Sequence, residues 1–352
     1  MARRLHAAPL AAWSRALLEA SGLEPAAAAT VADTLVEASL RGVDSHGVTL
    51  LPIYAERLRA GSMNRRPRPR VERREGAVAC VDGDHGPGQV AGVLAMDVSV
   101  ELAREHGVGM VTARRSGHYG AAAYYVMRPA RQGLVALSTT NSEPFVVPFG
   151  GRGWALGTNP IALSAPTPTG ELTIDMATSQ VAANKVAVAR YGNEPIPEGW
   201  AVDEQGRPTT DPDQAYAMLP LGGYKGYALA VLVEILSGAL PGAGVTHGVG
   251  RLHEELERPQ DVGHFHLTID PERTVGAARL AQLVQALADE LKAMPPLPGT
   301  DEVLVPGEPQ LRNQALRERD GIPIPDGMWA SLAELSDLVG VAPPSPLPVR
   351  HS

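Results

Sequence analysis

Apolar residues recur at helical spacing through the beginning of the chain. One series runs from Leu10 to Leu18, a second from Val31 to Ala38, and a third from Leu50 to Leu58. Gly42 and Gly61 follow the second and third series, where glycine commonly ends a helix. This region is therefore predicted to form amphipathic helices. Its first residues superficially resemble a signal peptide, but charged residues interrupt the apolar segment and favour a helix that docks onto the body.

Strand-like and helical segments alternate after an arginine- and proline-rich connector at 65–70. Ile161–Ala165 and Leu172–Ile174 then flank a Pro-Thr-Gly turn, which predicts a hairpin and breaks the alternation. The pattern predicts an α/β layer around a mixed sheet. The alternating strands and helices are predicted at Val78–Asp82, Gln89–Glu105, Val108–Ala113, Tyr119–Arg131 and Leu134–Thr139.

The rest of the chain continues this mixture. Helices are predicted at Lys225–Leu240 and Val275–Met294, with a strand at His264–Ile269 between them. Two further helices, at 309–319 and 328–339, are expected to return to the N-terminal helices. We therefore predict an α/β (α+β) fold in three parts, which are N-terminal helices at 1–70, a mixed-sheet part at 71–304 and C-terminal helices at 305–352.

Composition excludes several classes of function. The 352 residues carry a formal net charge of -8, which argues against general binding to the phosphate backbone of nucleic acids. The most apolar internal stretch, 227–240, is interrupted by Glu234 and Gly238 and is too short to span a membrane. The lone Cys80 lies in an apolar run and fits core packing in a reducing compartment. We expect a soluble, cytoplasmic protein.

Two common kinds of catalytic site are also disfavoured. The chain has ten histidines, but none forms an H-x-x-x-H or H-E-x-x-H helical pair, and only one cysteine could supply sulfur. A G-x-S-x-G elbow is missing as well. We therefore predict no bound metal and no serine hydrolase chemistry.

The most informative segment is Asp44-Ser45-His46-Gly47, because it places an imidazole in a turn between two predicted helices. Side chains in turns on rigid supports often carry chemistry. A lone histidine is more commonly a capping or core residue, so this segment alone does not establish a catalytic role.

Arg114–Gly120, which reads R-R-S-G-H-Y-G, lies between an apolar strand and a predicted helix. Backbone amides and the helix dipole at such a junction can cradle an anion, with His118 pointing into the site. An ordinary strand-to-helix turn explains the segment equally well. No G-x-G-x-x-G fingerprint follows a strand, and no G-x-x-x-x-G-K-[ST] loop occurs, so any nucleotide is held by an atypical fold.

Polar residues also gather at the predicted ends of other strands. Asn141-Ser142-Glu143 and Thr158-Asn159 occupy positions from which side chains orient small ligands, although turn chemistry explains them too. Asp175 precedes a run of small residues that a flat ring can approach closely. Plain packing is the alternative for that run.

Two helix starts carry charged groups. Gly222-Gly223-Tyr224-Lys225-Gly226 combines backbone amides with an ammonium group, which favours a phosphate or carboxylate. Gly307-Glu308, with Arg312 one turn later, sets a polar cluster at another start. A simple helix N-terminus explains this second cluster equally well.

The ordered series of motifs resembles the type-2 malate/L-lactate dehydrogenase family, which includes ureidoglycolate and sulfolactate dehydrogenases and diketogulonate and piperideine-carboxylate reductases. The resemblance runs from roughly the first helix to the last. It implies a non-Rossmann, mixed-sheet fold of the sulfolactate dehydrogenase type that binds NAD or NADP, in a homodimer. The motifs are S-H-G at Ser45–Gly47, G-H-Y-G at Gly117–Gly120, L-G-T-N-P at Leu156–Pro160, D-M-A-T-S at Asp175–Ser179, G-G-Y-K-G at Gly222–Gly226 and P-G-E at Pro306–Glu308.

The resemblance also implies roles for individual residues. It makes His46 the proton donor to the substrate, oriented by Ser45, with His118 as the rival acid or base. Thr158 and Asn159 are implied to face the substrate. The residues implied to contact the cofactor are His118, Tyr119, Gly120, Ala121, Ala122, Asp175, Met176, Ala177, Thr178, Tyr224, Lys225, Gly226, Gly307, Glu308 and Arg312.

One departure from the family concerns the substrate. Many members carry an arginine four residues after the S-H-G histidine, where its fork can pair with a substrate carboxylate, but this chain has Leu50 at that substrate-facing position. Either another cation such as Arg57 replaces it, or the substrate is larger or less acidic than malate or lactate.

These observations lead to the hypothesis of hydride transfer between a nicotinamide and C2 of a 2-hydroxy or 2-oxo acid, with an imidazole handling the proton. A cyclic-imine or N-alkyl-amino-acid reductase is the alternative within enzymes. A catalytically silent dinucleotide-binding protein is a third hypothesis, against which the intact Ser45-His46 pair and Lys225 speak. The predicted partner is a small-molecule substrate, with neither nucleic acid nor membrane.

Overall fold

A mixed sheet forms the centre of the structure, a computed structural model that describes residues 3–182, 185–186, 189–190 and 194–348. Its strands are β2 (Arg70–Glu75), β3 (Val78–Asp82), β4 (Val108–Ser116), β5 (Val135–Thr140), β6 (Ile161–Thr167), β7 (Gly170–Met176) and β11 (Val262–Ile269). Across the sheet they follow the order β2-β3-β4-β11-β5-β6-β7. β3 and β4 pair in parallel, and the other neighbours pair antiparallel. The predicted mixed sheet is therefore confirmed.

Helices pack on this sheet and build both ends of the chain. They are α1 (Ala7–Ala20), α2 (Pro25–Leu40), α3 (Leu51–Ala60), α4 (Gly88–His106), α5 (Ala123–Ala130), α6 (Tyr224–Val233), α7 (Ala277–Lys292), α8 (Glu308–Asp320) and α9 (Asp326–Val339). Short 3-10 turns at Asp44–His46 and Val48–Leu50 join α2 to α3, and α6 continues into a π-helical turn at Glu234–Ala239. α4 packs on β4, and α5 packs on β5 and β6.

The two ends of the chain share one hydrophobic core. β1 (Arg3–Leu5) pairs antiparallel with β12 (Ile322–Ile324). The rings of Trp13 and Trp329 lie 5.5 Å apart, and Trp13 Nε1 donates a hydrogen bond to Ser336 Oγ at 3.0 Å. The expected return of the C-terminal helices to the N-terminal helices is therefore confirmed.

The proposed division of the chain at 70 and 304 stays a prediction, and its outermost residues, 1–2 and 349–352, lie outside the described residues. Cys80 is a free, half-buried thiol in β3. Along the described part of the chain, no helix is both long and apolar enough to cross a bilayer.

Three local features differ from the prediction. The connector at 65–70 leads into β2, whose residues are all exposed. An edge strand with both faces in solvent lacks the apolar alternation that marks a strand. The helix predicted from Tyr119 begins only at Ala123, because Gly120 adopts a left-handed φ of +78°. A small sheet also forms outside the predicted elements, from β8 (Ala201–Val202), β9 (Pro208–Thr209) and β10 (Ala217–Met218).

Two histidines lie on one face of the central strand β11, and both are 0% exposed. The ring of His264 is hydrogen-bonded at Nδ1 to Thr140 Oγ1 (2.9 Å) and at Nε2 to Ser116 Oγ (2.8 Å). Neither ring nitrogen of His266 has a hydrogen-bond partner among the described residues. Burial lowers the pKa of His266 to about 3, so this imidazole is neutral at neutral pH.

Replacing His266 by leucine isolates the pH dependence of this buried ring. Histidine in the unfolded chain has a pKa of about 6.5. The stability contributed by the neutral ring is therefore complete above that pH and is lost as the pH falls toward the lower folded-state pKa, by about 1.4 kcal/mol per pH unit. We expect the wild-type free energy of urea unfolding to fall with that slope, relative to His266→Leu, between about pH 6 and pH 4. Parallel curves for the two proteins would contradict a neutral buried ring.

Candidate active site

The turn that carries His46 lies between α2 and α3. Gly42 adopts a left-handed φ of +81° after α2, and a Cβ there would lie 2.5 Å from Asn313 Nδ2. The chain then forms the turn Asp44–His46, in which Ser45 Oγ and His46 Nδ1 lie 2.9 Å apart. Ser45 is thus within hydrogen-bond distance of the imidazole it was predicted to orient.

His118 is held from the protein interior by two fully buried side chains. Its Nδ1 lies 2.7 Å from Tyr54 Oη, and Gln89 Nε2 donates a hydrogen bond to the same phenol oxygen at 3.0 Å. Because Gln89 uses the acceptor side of the phenol, we assign the phenol proton to the bond with His118. That assignment leaves the imidazole proton on Nε2. Gln260 Oε1 also accepts a hydrogen bond from the backbone amide of His118 at 3.0 Å.

The rings of His46 and His118 lie next to each other, with centroids 5.6 Å apart and planes at 24°. Both side chains are half-buried. Among the described residues, neither Nε2 atom has a hydrogen-bond partner. Two adjacent imidazoles, each with one uncommitted nitrogen, are suited to a hydrogen bond and a proton transfer at one reacting group.

Burial lowers the pKa of both imidazoles. Burial first, and the neighbouring His46 and His253 second, lower the pKa of His118 to about 3. Burial also lowers the pKa of His46 from its ordinary value. The pKa of Tyr54 is raised by burial, so its phenol stays protonated. His118 is therefore a neutral ring at neutral pH.

Four of the segments predicted to hold ligands meet beyond the end of β7. Asp175 Oδ2 accepts a hydrogen bond from the Ala123 amide at 2.8 Å, which joins β7 to the start of α5. The Thr178 amide donates to the Thr158 carbonyl at 2.8 Å, and the Leu221 amide donates to the Thr178 carbonyl at 2.9 Å. These contacts bring the distant motifs of the sequence to one edge of the sheet.

The glycine-rich loop before α6 fits an anionic group. Gly222 and Gly223 adopt φ values of +57° and +70°. In the part of the chain that the structure describes, no hydrogen bond uses the amides of Tyr224 and Lys225, and the exposed Lys225 ammonium has no ion-pair partner. Free amides in a first helical turn beside an ammonium form a donor set that suits a phosphate.

Gly307 lies close to β7 at the start of α8. Its φ is +85°, and a Cβ there would lie 2.7 Å from the Thr173 carbonyl oxygen. The next residue, Glu308, already pairs with Lys292 and Arg312, at 2.6 Å in each case. Hydrogen bonds from these two cations lower the pKa of Glu308 to about 2. The side chains of Glu308 and Arg312 are therefore engaged in ion pairs within the protein.

Other predicted ligand residues use their side chains inside the fold. Tyr119 is 1% exposed. Its ring stacks on the rings of Tyr125 and His264, with centroids 4.6 Å apart in each pair. Only its backbone can line a cofactor. Asn159 is fully buried and donates to Glu234 and to a backbone carbonyl of α6. Thr158, the other residue predicted to face the substrate, is half-buried.

Arg57 does not replace the missing arginine at position 50. It is 1% exposed, and its terminal nitrogens donate to Ser62 Oγ and to backbone carbonyls at 251, 255 and 258. Leu50 packs into the N-terminal core. The alternative in which Arg57 binds a substrate carboxylate is wrong, because the side chain is buried and its two terminal nitrogens are committed to Ser62 and to backbone carbonyls.

The anion cradle expected in Arg114–Gly120 does not form as predicted. Both arginines of the motif pair with carboxylates of β2 and β3, at 2.8 Å in each case. The helix starts three residues beyond the motif, at Ala123, and its first amide already bonds the Asp175 carboxylate. A side chain of the protein therefore takes the place expected for a bound anion.

The residues that hold His118 were not predicted from the sequence. Tyr54 falls on the apolar face of α3, where its spacing indicates only core packing. Gln89 and Gln260 carry no local motif. A phenol at a fully buried helix position is a signal, because buried hydroxyls nearly always have a hydrogen-bond partner.

Comparison with known proteins identifies the family of this chain. The family model described as malate/L-lactate dehydrogenase matches residues 5–333. The ureidoglycolate dehydrogenase (NAD(+)) of Escherichia coli is 40% identical over 313 residues, which is 89% of this chain and 90% of that protein. The chain belongs to the malate/L-lactate dehydrogenase family. The resemblance carried by the six motifs is thus confirmed, and this family member is an oxidoreductase.

Solved structures of the family share the fold. The sulfolactate dehydrogenase of Methanocaldococcus jannaschii superimposes with a TM-score of 0.90 at 36% identity, covering 96% of this chain and 98% of that one. The delta1-piperideine-2-carboxylate reductase of Pseudomonas syringae gives a TM-score of 0.85 at 31% identity, with coverage of 95% and 99%. The fold predicted for this dehydrogenase family member is confirmed.

Replacing Arg57 by leucine tests whether it is structural. The change leaves buried carbonyl groups unpaired, so we expect the variant to lose about 3 kcal/mol or more of stability. The KM of the folded variant should stay within about twofold of wild type, because the guanidinium does not face substrate. Arg59→Leu, an exposed position on the same helix, is the control. A large rise in KM with an unchanged Tm would restore Arg57 as a substrate ligand.

Proposed function

We propose that this chain is an NAD(P)-dependent oxidoreductase that transfers hydride between the nicotinamide and C2 of a 2-hydroxy or 2-oxo acid. The observation that carries the proposal is the adjacent pair of His46 and His118, with ring centroids 5.6 Å apart and an uncommitted Nε2 on each ring among the described residues. Family relatives support the reaction class, since they are named ureidoglycolate, malate and sulfolactate dehydrogenases.

The two imidazoles have different proposed roles. Neutral His118 donates a hydrogen bond from Nε2 to the oxygen on C2 and so holds the substrate. His46 gives its proton to that oxygen as hydride reaches C2, and it takes the proton back in the oxidative direction. A bound reduced nicotinamide supplies the hydride. Ser45 keeps the His46 ring in position through Nδ1.

The cofactor is proposed to lie along the edge where the predicted segments meet. The free amides of Tyr224 and Lys225, with the Lys225 ammonium, are suited to a phosphate. Asp175 and the backbone of Gly307 complete the edge from β7 and α8. The name of the Escherichia coli relative specifies NAD(+). We propose that the cofactor of this chain is NAD or NADP.

The substrate is proposed to be larger or less acidic than malate or lactate. Leu50 provides no charge where many family members have arginine, and Arg57 is committed to backbone carbonyls. The similarity to a ureidoglycolate dehydrogenase favours a 2-hydroxy acid with a polar substituent. Reduction of a cyclic imine is the second candidate, supported by the fold shared with piperideine-2-carboxylate reductase.

We also propose that the protein is a cytoplasmic homodimer. Leu283, Leu287 and Leu291 form a stripe on α7 and are 44%, 54% and 43% exposed. A contiguous apolar stripe of this kind commonly marks a protein interface. The single cysteine fits a reducing compartment.

His46→Ala is the direct test of the proton carrier. Because the proton then has no donor beside the substrate oxygen, we expect turnover to fall at least about a hundredfold, with cofactor affinity nearly intact. In the wild type, reductive turnover should decline as the pH rises past the lowered pKa of His46, and oxidative turnover should decline as it falls below that pKa. Wild-type turnover in His46→Ala would remove this residue from the acid role.

The substrate is found by following the absorbance of the reduced nicotinamide. The assay pairs NADH and NADPH with 2-oxo acids and cyclic imines, and the oxidised cofactors with ureidoglycolate. We expect turnover with a 2-hydroxy or 2-oxo acid. Turnover confined to cyclic imines would select the second candidate, and no turnover with any substrate would contradict the proposal.

Leu287→Glu tests the homodimer. A charge in the middle of an apolar interface is costly, so we expect light scattering to show the mass of one chain for this variant and of two chains for the wild type. Gln282→Glu, at an exposed polar position of α7, is the control and should remain a dimer. A wild type with the mass of one chain would contradict the proposed assembly.

A further inference from the structure

One ion pair connects the turn that carries His46 to the C-terminal helix α8. Arg317 Nη1 donates to Asp44 Oδ1 at 2.6 Å, and Nη2 donates to Asp44 Oδ2 at 2.9 Å. Nη1 also donates to the backbone carbonyl of Ser39. The Arg317 side chain is 15% exposed, whereas that of Asp44 is 42% exposed. A two-point pair with a mostly buried guanidinium has a more defined geometry than a typical surface ion pair.

Of the two residues that Arg317 contacts, Asp44 belongs to the turn that carries His46, and Ser39 bonds a residue just beyond that turn. Asp44 opens the turn that ends at His46. Ser39 Oγ accepts the amide of Val48 at 3.0 Å, just beyond the turn. A Cβ on Gly47 would lie 2.1 Å from the same oxygen, so the backbone there passes as closely as glycine allows. Movement of Asp44, or of Ser39 through its bond to the Val48 amide, would therefore move the turn that carries His46.

We propose that Arg317 is a positioning residue for His46. The guanidinium holds Asp44 and Ser39 in a fixed relation and so sets the placement of the His46 ring beside His118. This role rests on the proposed function of His46 as the proton carrier. It also gives α8 a second task, because the segment proposed to meet the cofactor begins the same helix.

The chain offers a matched control for this proposal. Arg319 lies on the same helix, two residues further on, and its side chain is 69% exposed. It pairs with the adjacent Asp320 rather than with the catalytic turn. Substituting Arg319 removes the same charge from α8 and leaves the contacts of Arg317 in place.

The test compares Arg317→Gln, Arg317→Lys and Arg319→Gln in the full chain. The measurements are kcat with the fastest substrate from the screen, and the Kd of NADH by fluorescence titration. We expect Arg317→Gln to lower kcat at least about tenfold with the Kd of NADH within about twofold of wild type, because a small displacement of a catalytic group costs rate rather than binding. Arg317→Lys should recover part of the rate. Arg319→Gln should match the wild type.

A chemical rescue and a double variant sharpen the result. Millimolar guanidinium should raise the kcat of Arg317→Gln but not that of Arg319→Gln. Asp44→Asn combined with Arg317→Gln should be no slower than the slower single variant, since both remove one interaction. Equal kcat in Arg317→Gln and Arg319→Gln overturns the proposal, and so does an equal loss of kcat and NADH affinity without rescue. If the proposed function is wrong instead, His46→Ala will remain active, and this result distinguishes that failure from failure of the Arg317 proposal.

Discussion

The hydrogen bond between the Tyr54 phenol and His118 Nδ1 is the interaction on which the site depends. It joins α3, from the helical start of the chain, to the loop between β4 and α5. Tyr54 and Gln89 are both fully buried, so a phenol deprived of this imidazole would be left with an unpaired polar group. The bond therefore constrains the placement of the ring and the position of its proton, and it leaves Nε2 without a partner among the described residues.

Burial sets the charge of the ring that this bond holds, since it is the main reason that the pKa of His118 is lowered. A neutral His118 can donate a hydrogen bond without carrying a charge, while His46, hydrogen-bonded to Ser45 at Nδ1, has an Nε2 with no partner among the described residues. Contacts between distant segments also join the motifs beside β7. Asp175 caps the first amide of α5, and Gly307 approaches the backbone of β7 as only glycine can. Any difference between the two imidazoles arises from burial and partners, since both residues are the same amino acid.

Much of the fold was predictable from the sequence, because most helices and strands bury one face and so leave a period in the chain. β2 was not predictable, since none of its residues is buried and no alternation remains. His46 and His118 were found through their motifs. Tyr54 was not, because its spacing also fits an apolar helix face, and Arg317 was not, because a charged residue on a polar helix is ordinary. Arg57 was chosen for its charge alone, and sequence spacing does not show that its donors are already used.

The central claim is that His118 is a neutral hydrogen-bond donor while His46 carries the proton, and imidazole 15N chemical shifts measure this directly. The protein labelled with 15N-histidine can be assigned with the His118→Gln and His46→Gln variants. We expect His118 to keep the tautomer with its proton on Nε2 from about pH 5 to pH 9, and His46 to titrate below its ordinary pKa of about 6.5. A His118 ring that becomes doubly protonated near neutral pH, or that carries its proton on Nδ1, would contradict the account.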